Sequence, residues 1–238
     1  DRELVAALER PGHPSLGKDA GALAGLEPLG VPLSDRFAER ADALVDFSTP
    51  EAAVLRAREC ADMGVALVVG TTGLSEAQKD EISHRVARRV PVLMAPNMSL
   101  GVNLMFALAE QIARALPAGY DVEIIEAHHR RKKDAPSGTA MELARRVCAA
   151  LGLDVESALV CGRSGAVGPR GAEQIGVHAV RGGDIVGEHT VMFAGEGERI
   201  ELTHRASSRD VFARGALHAA RFVVGRPPGL YSMQDALA

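Results

Sequence analysis

Several residue types and patterns that mark particular classes of protein are scarce or missing in this sequence. The 238 residues include no tryptophan, two tyrosines and six phenylalanines, so few aromatic rings are available to stack on nucleobases. The formal net charge of −4 gives no electrostatic case for binding nucleic acid or an anionic membrane. No apolar run approaches the roughly 20 residues that span a bilayer. We therefore predict neither a nucleic-acid nor a membrane partner.

Cysteine is scarce as well. The three cysteines, Cys60, Cys148 and Cys161, are far apart in the sequence. Their spacing matches neither a zinc site nor a disulfide framework, so we predict no metal site and a reducing compartment. We also find no signal peptide. These observations predict a cytoplasmic protein.

The apolar residues that are present, 47% of the chain, suffice for a sizeable core. Up to about residue 99 the sequence predicts strands and helices in alternation. The predicted strands are 4–8, 43–47, 66–69 and 90–94, the predicted helices are 50–63 and 75–88, and 12–30 is a predicted loop. Most of these strands are apolar throughout, which is typical of a parallel sheet covered by helices on both faces.

Beyond residue 100 the pattern changes. The predicted helices are 101–116, 137–151 and 210–224, and the predicted strands are 122–127, 175–180, 189–193 and 199–205. The last three strands alternate in character and suggest successive antiparallel pairing. We predict an α/β protein with a Rossmann-like parallel-sheet domain over 1–99, completed by 209–238, and a second α+β domain with an open mixed sheet over 100–208.

Polar residues follow the predicted strands of the first domain. Glu9 stands where a dinucleotide-binding fold holds the adenosine ribose, and Arg10 could pair with a 2′-phosphate, although a solvated ion pair would give the same pattern. Gly-Thr-Thr-Gly at 70–73 and Ala-Pro-Asn-Met at 95–98 follow two further strands. Ligands of open α/β sheets bind beyond such strand ends, but ordinary turns carry similar residues.

The densest group of polar residues is Glu-Ala-His-His-Arg-Arg-Lys-Lys-Asp-Ala-Pro-Ser-Gly-Thr-Ala, at 126–140. Two histidines end a strand, Lys132 follows, and a helix begins near Ser137, where free amides and the helix dipole favour an anion. Singly, the histidines could be half of a metal site, the cations at 130–133 a nucleic-acid contact, and Ser137 a plain cap. Together they predict a site that holds a carboxylate-bearing substrate and protonates it.

Residues 126–140 resemble the signature of the dihydrodipicolinate reductase family. Further segments similar to that family are Asp46-Phe47-Ser48-x-Pro50, 70–73, Asn97-x-Ser99-x-Gly101-Val102-Asn103 and 183–189. The resemblance implies reduction of 4-hydroxy-tetrahydrodipicolinate to tetrahydrodipicolinate with NADPH or NADH, in lysine and diaminopimelate biosynthesis. It also implies a homotetramer assembled through the second domain.

The resemblance implies roles for individual residues. His128 matches the proton donor, and Lys132 matches the general acid that helps water to leave. The substrate-carboxylate positions are His129, Gly138 and Thr139, together with Ser137 at the same helix start. The cofactor positions are Glu9, Arg10, Gly70, Thr71, Thr72, Ala95, Pro96, Asn97 and Met98. The family usually has phenylalanine where this chain has Met98.

The amino end departs from the family pattern, which opens with a strand, a Gly-rich phosphate loop and a helix that match nothing here. Because that first strand would be central, we expect a chain truncated relative to its functional parent, with unpaired strand edges and weak dinucleotide binding. The alternative is a non-catalytic, anion-binding, oligomer-forming remnant of a reductase. The proton donors in 126–140 argue against this alternative, because a binding remnant needs none.

Overall fold

A computed structural model describes residues 3–238 of the chain. Its elements up to residue 96 are β1 (Ala7–Leu8), α1 (Ala20–Leu23), β2 (Leu33–Ser34), β3 (Ala43–Asp46), α2 (Pro50–Met63), β4 (Ala66–Val69), α3 (Glu76–Glu81) and β5 (Pro91–Met94). Its later elements are α4 (Leu100–Ala115), β6 (Asp121–His128), α5 (Gly138–Leu151), α6 (Val155–Ala158), β7 (Leu159–Cys161), β8 (Ile175–Arg181), β9 (Gly187–Ala194), β10 (Arg199–Ala206), α7 (Asp210–Val223), β11 (Gly229–Tyr231) and α8 (Met233–Leu237). Within the described residues, no helix has the length and apolar character needed to cross a membrane.

The first of two compact units contains the residues up to Pro96 together with Leu217–Ser232. Its four-stranded sheet has the order β11-β5-β4-β3, and all neighbouring strands are parallel. Every residue of β4 is buried, and α2 packs against this strand. β1 pairs in parallel with β2 in a separate two-stranded sheet, so β3 is an edge strand. These strands confirm the predicted Rossmann-like parallel sheet.

Local signals fix the ends of α2. The Thr49 hydroxyl accepts a hydrogen bond from the Ala52 amide (3.3 Å), and Pro50 occupies the first helical position. Gly64 ends the helix with φ +73°, a left-handed conformation that costs glycine little. Because caps of this kind are read from a few adjacent residues, the predicted bounds of 50–63 are confirmed.

The second unit contains Asn97–Ala216 and Met233–Ala238. Its mixed sheet has the order β10-β9-β6-β8-β7, with β6 antiparallel to β9 and parallel to β8. The prediction of successive antiparallel strands is wrong for β8. The chain passes through α5, α6 and β7 before it reaches β8, and β8 lies parallel to both β6 and β7. Crossover connections through a helix bring the chain back to the sheet in the parallel direction.

Strand alternation places two polar side chains on the buried face of this sheet. In β6, residues Val122, Ile124, Glu126 and His128 are buried, whereas Ile125 is exposed. The helices α4 and α5 cover the inner face and complete a core that includes Phe106, Leu143 and Phe193. A carboxylate and an imidazole therefore lie on a face that is otherwise apolar.

Short elements account for most differences from the predicted structure. The predicted loop at 12–30 contains α1, which Asp19 caps through the Ala22 amide (3.0 Å). Strand 4–8 is reduced to β1, and helix 75–88 consists of α3 and a π-helical turn, Ile82–Val86. The elements β2, α6, β7, β11 and α8 have two to five residues each, too few to show a period in the sequence.

Candidate active site

His128 ends β6 and is held from two sides. Its Nδ1 lies 2.6 Å from Oε2 of Glu126, two residues earlier on the same face. Its ring meets the His189 ring edge-to-face, with 5.2 Å between the centroids. A Cβ at Gly187 would lie 3.1 Å from His128 Nε2, so glycine leaves room beside that atom. The imidazole therefore has a fixed orientation, with Nδ1 engaged and Nε2 available.

The protonation of the two histidines follows from their surroundings. Burial lowers the pKa of His128, and the hydrogen bond and charge of Glu126 partly offset this effect. Burial, reinforced by the charge of His128, lowers the pKa of His189 to about 4. His189 is therefore neutral at physiological pH, and its Nε2 lies 3.1 Å from the Ser137 hydroxyl.

Lys132 lies in the turn that follows β6. Its amide donates to the His129 carbonyl (3.1 Å), and its ammonium contacts the Asp134 carboxylate (2.9 Å). The Lys132 side chain is 20% exposed, so most of its stem is covered. His129 is half-buried, and its buried Nδ1 has no hydrogen-bond partner among residues 3–238. The turn thus presents an ammonium group and an imidazole with one unused nitrogen.

Helix α5 begins directly after this turn. The Ser137 hydroxyl caps the helix by accepting from the Ala140 amide (3.2 Å). Gly138 is exposed at the first helical position, and the hydroxyl of Thr139 accepts from Nδ2 of Asn97 (3.1 Å). The first amides of a helix lack acceptors within the helix and carry its positive dipole end, so this start suits an anion such as a carboxylate.

The predicted cofactor residues of the first unit lie at strand ends. The Arg10 amide donates to the Glu9 carboxylate (2.7 Å) just beyond β1, and Arg10 is exposed. After β4, the Thr71 hydroxyl donates to the buried Asp46 carboxylate and accepts from the Ser48 amide (2.8 Å). The hydroxyl predicted to face a ligand is therefore engaged within the protein.

The remaining predicted cofactor residues differ in exposure. Gly70 is half-buried, and a Cβ there would lie 2.3 Å from the Phe47 ring. Thr72 and Pro96 are exposed, whereas Ala95 is buried. Asn97 is half-buried and accepts from the Ser99 amide (2.9 Å).

Met98 is the predicted cofactor residue with the most covered side chain. It is 1% exposed and belongs to the second unit. A contact between this residue and a cofactor would therefore have to involve its backbone. Stacking of the kind expected from the usual phenylalanine is not available to the Met98 side chain where it lies.

The sequence did not predict several residues that the structure places beside the candidate site residues. Glu126 belongs to the signature but has no predicted role, His189 appears only within a predicted strand and a family segment, and Arg181 has no predicted role. Asp46 was noted only as part of a family segment. The sequence does contain a signal for Glu126. This residue follows Val122 and Ile124 at alternate positions of a strand, so the three side chains share the buried face. A carboxylate that is buried there requires a partner.

The fold and these side chains define a class. A parallel Rossmann-like sheet and a second unit with paired histidines, a lysine and a helix start that suits an anion are the parts of a nicotinamide-dependent oxidoreductase. The chain belongs to the dihydrodipicolinate reductase family. Profiles described as dihydrodipicolinate reductase, N-terminus, and dihydrodipicolinate reductase, C-terminus, match residues 1–98 and 101–237.

Individual relatives agree with the family. The chain is 53% identical to 4-hydroxy-tetrahydrodipicolinate reductase of Anaeromyxobacter dehalogenans, covering 98% of this chain and 87% of the relative. It is 52% identical to the Nitrosomonas europaea protein of the same name, covering 100% and 89%. The solved structure of dipicolinate-bound dihydrodipicolinate reductase from Paenisporosarcina sp. TG-14 has a TM-score of 0.74 and 26% identity over 99% of this chain and 89% of that one.

Proposed function

We propose that this chain reduces 4-hydroxy-tetrahydrodipicolinate to tetrahydrodipicolinate with NADPH or NADH, as a step of lysine and diaminopimelate biosynthesis. The reaction adds a hydride and a proton to the substrate and removes water. The observation that carries the proposal is the grouping of His128, Lys132 and the start of α5 within one unit of a protein whose relatives bear this name. A biosynthetic family and three unpaired cysteines support a cytoplasmic location.

The proposal assigns the protons to two groups. His128 donates a proton through Nε2, because its Nδ1 is occupied by Glu126. Lys132 is the general acid that helps water to leave. A cation near the ring also neutralises negative charge as it develops on the substrate.

The proposal assigns the substrate carboxylates to the helix start and its surroundings. The amides of Gly138 and Thr139 lie in the first turn of α5, where an anion is favoured. His129 supplies an imidazole whose Nδ1 is unused among the described residues, and Ser137 fixes the start of the helix. The dipicolinate bound to the related Paenisporosarcina enzyme is a dicarboxylate, which fits this charge pattern.

The nicotinamide dinucleotide, when bound, supplies the hydride. The donor set of the first unit fits such a group: Glu9 offers a carboxylate to ribose hydroxyls, and the exposed Arg10 guanidinium suits a 2′-phosphate. Gly70, Thr71 and Thr72 lie at the carboxyl end of β4, where open parallel sheets bind ligands. Ala95, Pro96, Asn97 and Met98 follow β5 in the same way.

Turnover is tested by following NADPH absorbance over a range of NADPH concentrations. We expect oxidation that depends on 4-hydroxy-tetrahydrodipicolinate. Oxidation that is independent of this substrate, or absent at every NADPH concentration, would contradict the proposal.

Changing Arg10 to alanine is expected to weaken NADPH binding about tenfold or more and to leave NADH binding nearly unchanged. The reason is that only NADPH carries a 2′-phosphate with which a guanidinium can pair. Isothermal titration of both dinucleotides measures the ratio. Arg88→Ala is the control, because this exposed arginine precedes β5 and therefore lies away from the carboxyl strand ends. Equal losses for NADPH and NADH would show that Arg10 does not contact the 2′-phosphate.

We also propose a homotetramer that forms through the sheet of the second unit. The helices α4 and α5 cover one face of this sheet, while the other face exposes Ile125 and Val180. On that face the Thr190 and Thr203 hydroxyls lie 3.0 Å apart. An uncovered sheet face with apolar side chains supports an interface with a second copy.

Placing a charge on the open face is expected to break this assembly. Ile125→Glu puts a carboxylate on the central strand, where burial against a second copy would leave it unpaired. Native mass spectrometry should show a smaller species with unchanged circular dichroism. The matched control is Leu55→Glu, at an exposed position of α2. A tetramer that persists in the Ile125 variant would exclude this face as the interface.

A further inference from the structure

Glu126 is a carboxylate that is completely buried and fully hydrogen-bonded. It is 0% exposed, its Oε2 lies 2.6 Å from His128 Nδ1, and its Oε1 accepts from the Ser137 amide (2.9 Å). Arg181 donates one nitrogen to each oxygen, both at 2.7 Å. One side chain thus contacts the imidazole of the site, the residue that caps α5 and a guanidinium from β8.

The stability of the core does not explain why a charged pair is buried here. Burying an ion pair requires desolvation that its attraction only partly offsets, and apolar residues of similar size commonly stabilise a protein equally well. Burial by itself would raise the pKa of Glu126, but the hydrogen bonds from Arg181, His128 and the Ser137 amide outweigh it and lower this pKa. Glu126 is therefore ionised, and its charge acts at short range on the site.

We propose that Glu126 and Arg181 are positioning residues: Glu126 locks the His128 ring to the start of α5 and supplies the charge that favours its imidazolium, and Arg181 holds Glu126 and the Lys132 turn. The inference rests on the proposed function for the role of His128 as proton donor. The geometric part concerns residues of the second unit alone.

The guanidinium of Arg181 also contacts the turn that carries Lys132. Its Nη2 donates to the Asp134 carbonyl (2.7 Å), and the Asp134 carboxylate contacts the Lys132 ammonium (2.9 Å). The pairing of β6 with β8 places Arg181 directly beside His128 in the sheet. Arg181 therefore contacts Glu126, the partner of His128, and Asp134, the partner of Lys132. It does so without occupying the start of α5.

The charges that face His128 determine its response to substitution. Glu126 is the one carboxylate in direct contact among the described residues, whereas the charges of Lys132 and Arg181 disfavour the imidazolium. His189, whose pKa is lowered to about 4, is neutral beside it. Removing the charge of Glu126 should lower the pKa of His128, and removing the charge of Arg181 should raise it. General loosening of the structure would not shift the two variants in opposite directions.

The experiment titrates His128 by NMR in Glu126→Gln and Arg181→Gln and measures their pH–rate profiles. We expect the pKa of His128 to fall by about one unit or more in Glu126→Gln and to rise in Arg181→Gln. Because the donor must be protonated, activity is lost as pH rises through this pKa, so the alkaline limb moves the same way in each variant. In Glu126→Gln, kcat should fall about 10- to 100-fold, the scale seen when the partner that orients a metal-binding histidine is removed.

The chain contains a matched control. Glu123, on the same strand but the opposite face, also binds arginine and histidine: Arg163 donates to both oxygens (2.9 Å each) and His178 Nε2 lies at 2.7 Å. Glu123→Gln removes a comparable pair and should leave the pKa of His128 and the alkaline limb unchanged. A shift in this control equal to that in Glu126→Gln, or shifts of the same sign in both site variants, would overturn the proposal.

The outcome separates the inference from the proposed function. If Glu126→Gln does not fold, the direction of the shift in Arg181→Gln decides alone. Opposite pKa shifts together with wild-type turnover in His128→Gln would support the positioning and reject the catalytic role of His128. A His128 pKa that is unchanged in both variants would overturn the positioning, whatever the turnover of His128→Gln.

Discussion

Replacing Lys132 with alanine is expected to lower kcat by about two to four orders of magnitude and to leave the fold intact. A positioned general acid contributes a rate factor of this size. The Lys132 ammonium contacts the exposed Asp134, and such a pair contributes little to stability. Steady-state NADPH oxidation measures the rate, and thermal unfolding measures the fold.

The neighbouring Lys133 provides the control for that change. It is the same residue type in the same turn, but its side chain is exposed, whereas that of Lys132 is 20% exposed. Lys133→Ala should therefore retain turnover within about twofold, as expected for an exposed residue away from the chemistry. Wild-type kcat in Lys132→Ala, or equal losses in both variants, would reject the role assigned to Lys132.

Gly215→Ala is expected to have the largest effect on stability. Gly215 lies in α7, and a Cβ there would lie 1.7 Å from the Met98 carbonyl oxygen and 2.8 Å from its carbonyl carbon. Both contacts are with backbone, so the helix or the chain before α4 must move. Overpacking of this kind costs about 1–3 kcal/mol and sometimes more, and we expect the upper end of that range. Urea denaturation measures the free energy of unfolding.

The same substitution tests how the start of α4 is held. Displacing Met98 would also move Asn97, which bonds the Thr139 hydroxyl. We therefore expect a raised KM for the substrate as well as lower stability. Gly182→Ala is the control, because nothing lies within 4 Å of its Cβ position. Equal stability of the two variants would contradict the close packing at Gly215.

The parts of the fold that could be predicted are those that local sequence determines. Thr49 and Pro50 specify the start of α2, Ser137 specifies the start of α5, and uniformly apolar runs give β4 and β5. The parallel placement of β8 was missed because strand direction depends on the path of the whole chain. The strands β1 and β2, with two residues each, carry no period.

The site was predictable to a similar extent. The segment 126–140 brings its histidines, lysine and helix start together by adjacency, and the structure keeps them in one unit. The partner of Glu126 could not be predicted, because Arg181 is 55 residues away and meets it only through the β6–β8 pairing. Burial of the Met98 side chain likewise follows from packing and not from the strand end at which it stands.

The most direct test of the account is a crystal structure of the protein with NADPH and dipicolinate. We predict that one carboxylate of dipicolinate accepts hydrogen bonds from the Gly138 and Thr139 amides, with the Lys132 ammonium and His128 Nε2 directed at the same ligand. Dipicolinate bound away from the start of α5, or lying against neither Lys132 nor His128, would contradict the assignment of these residues.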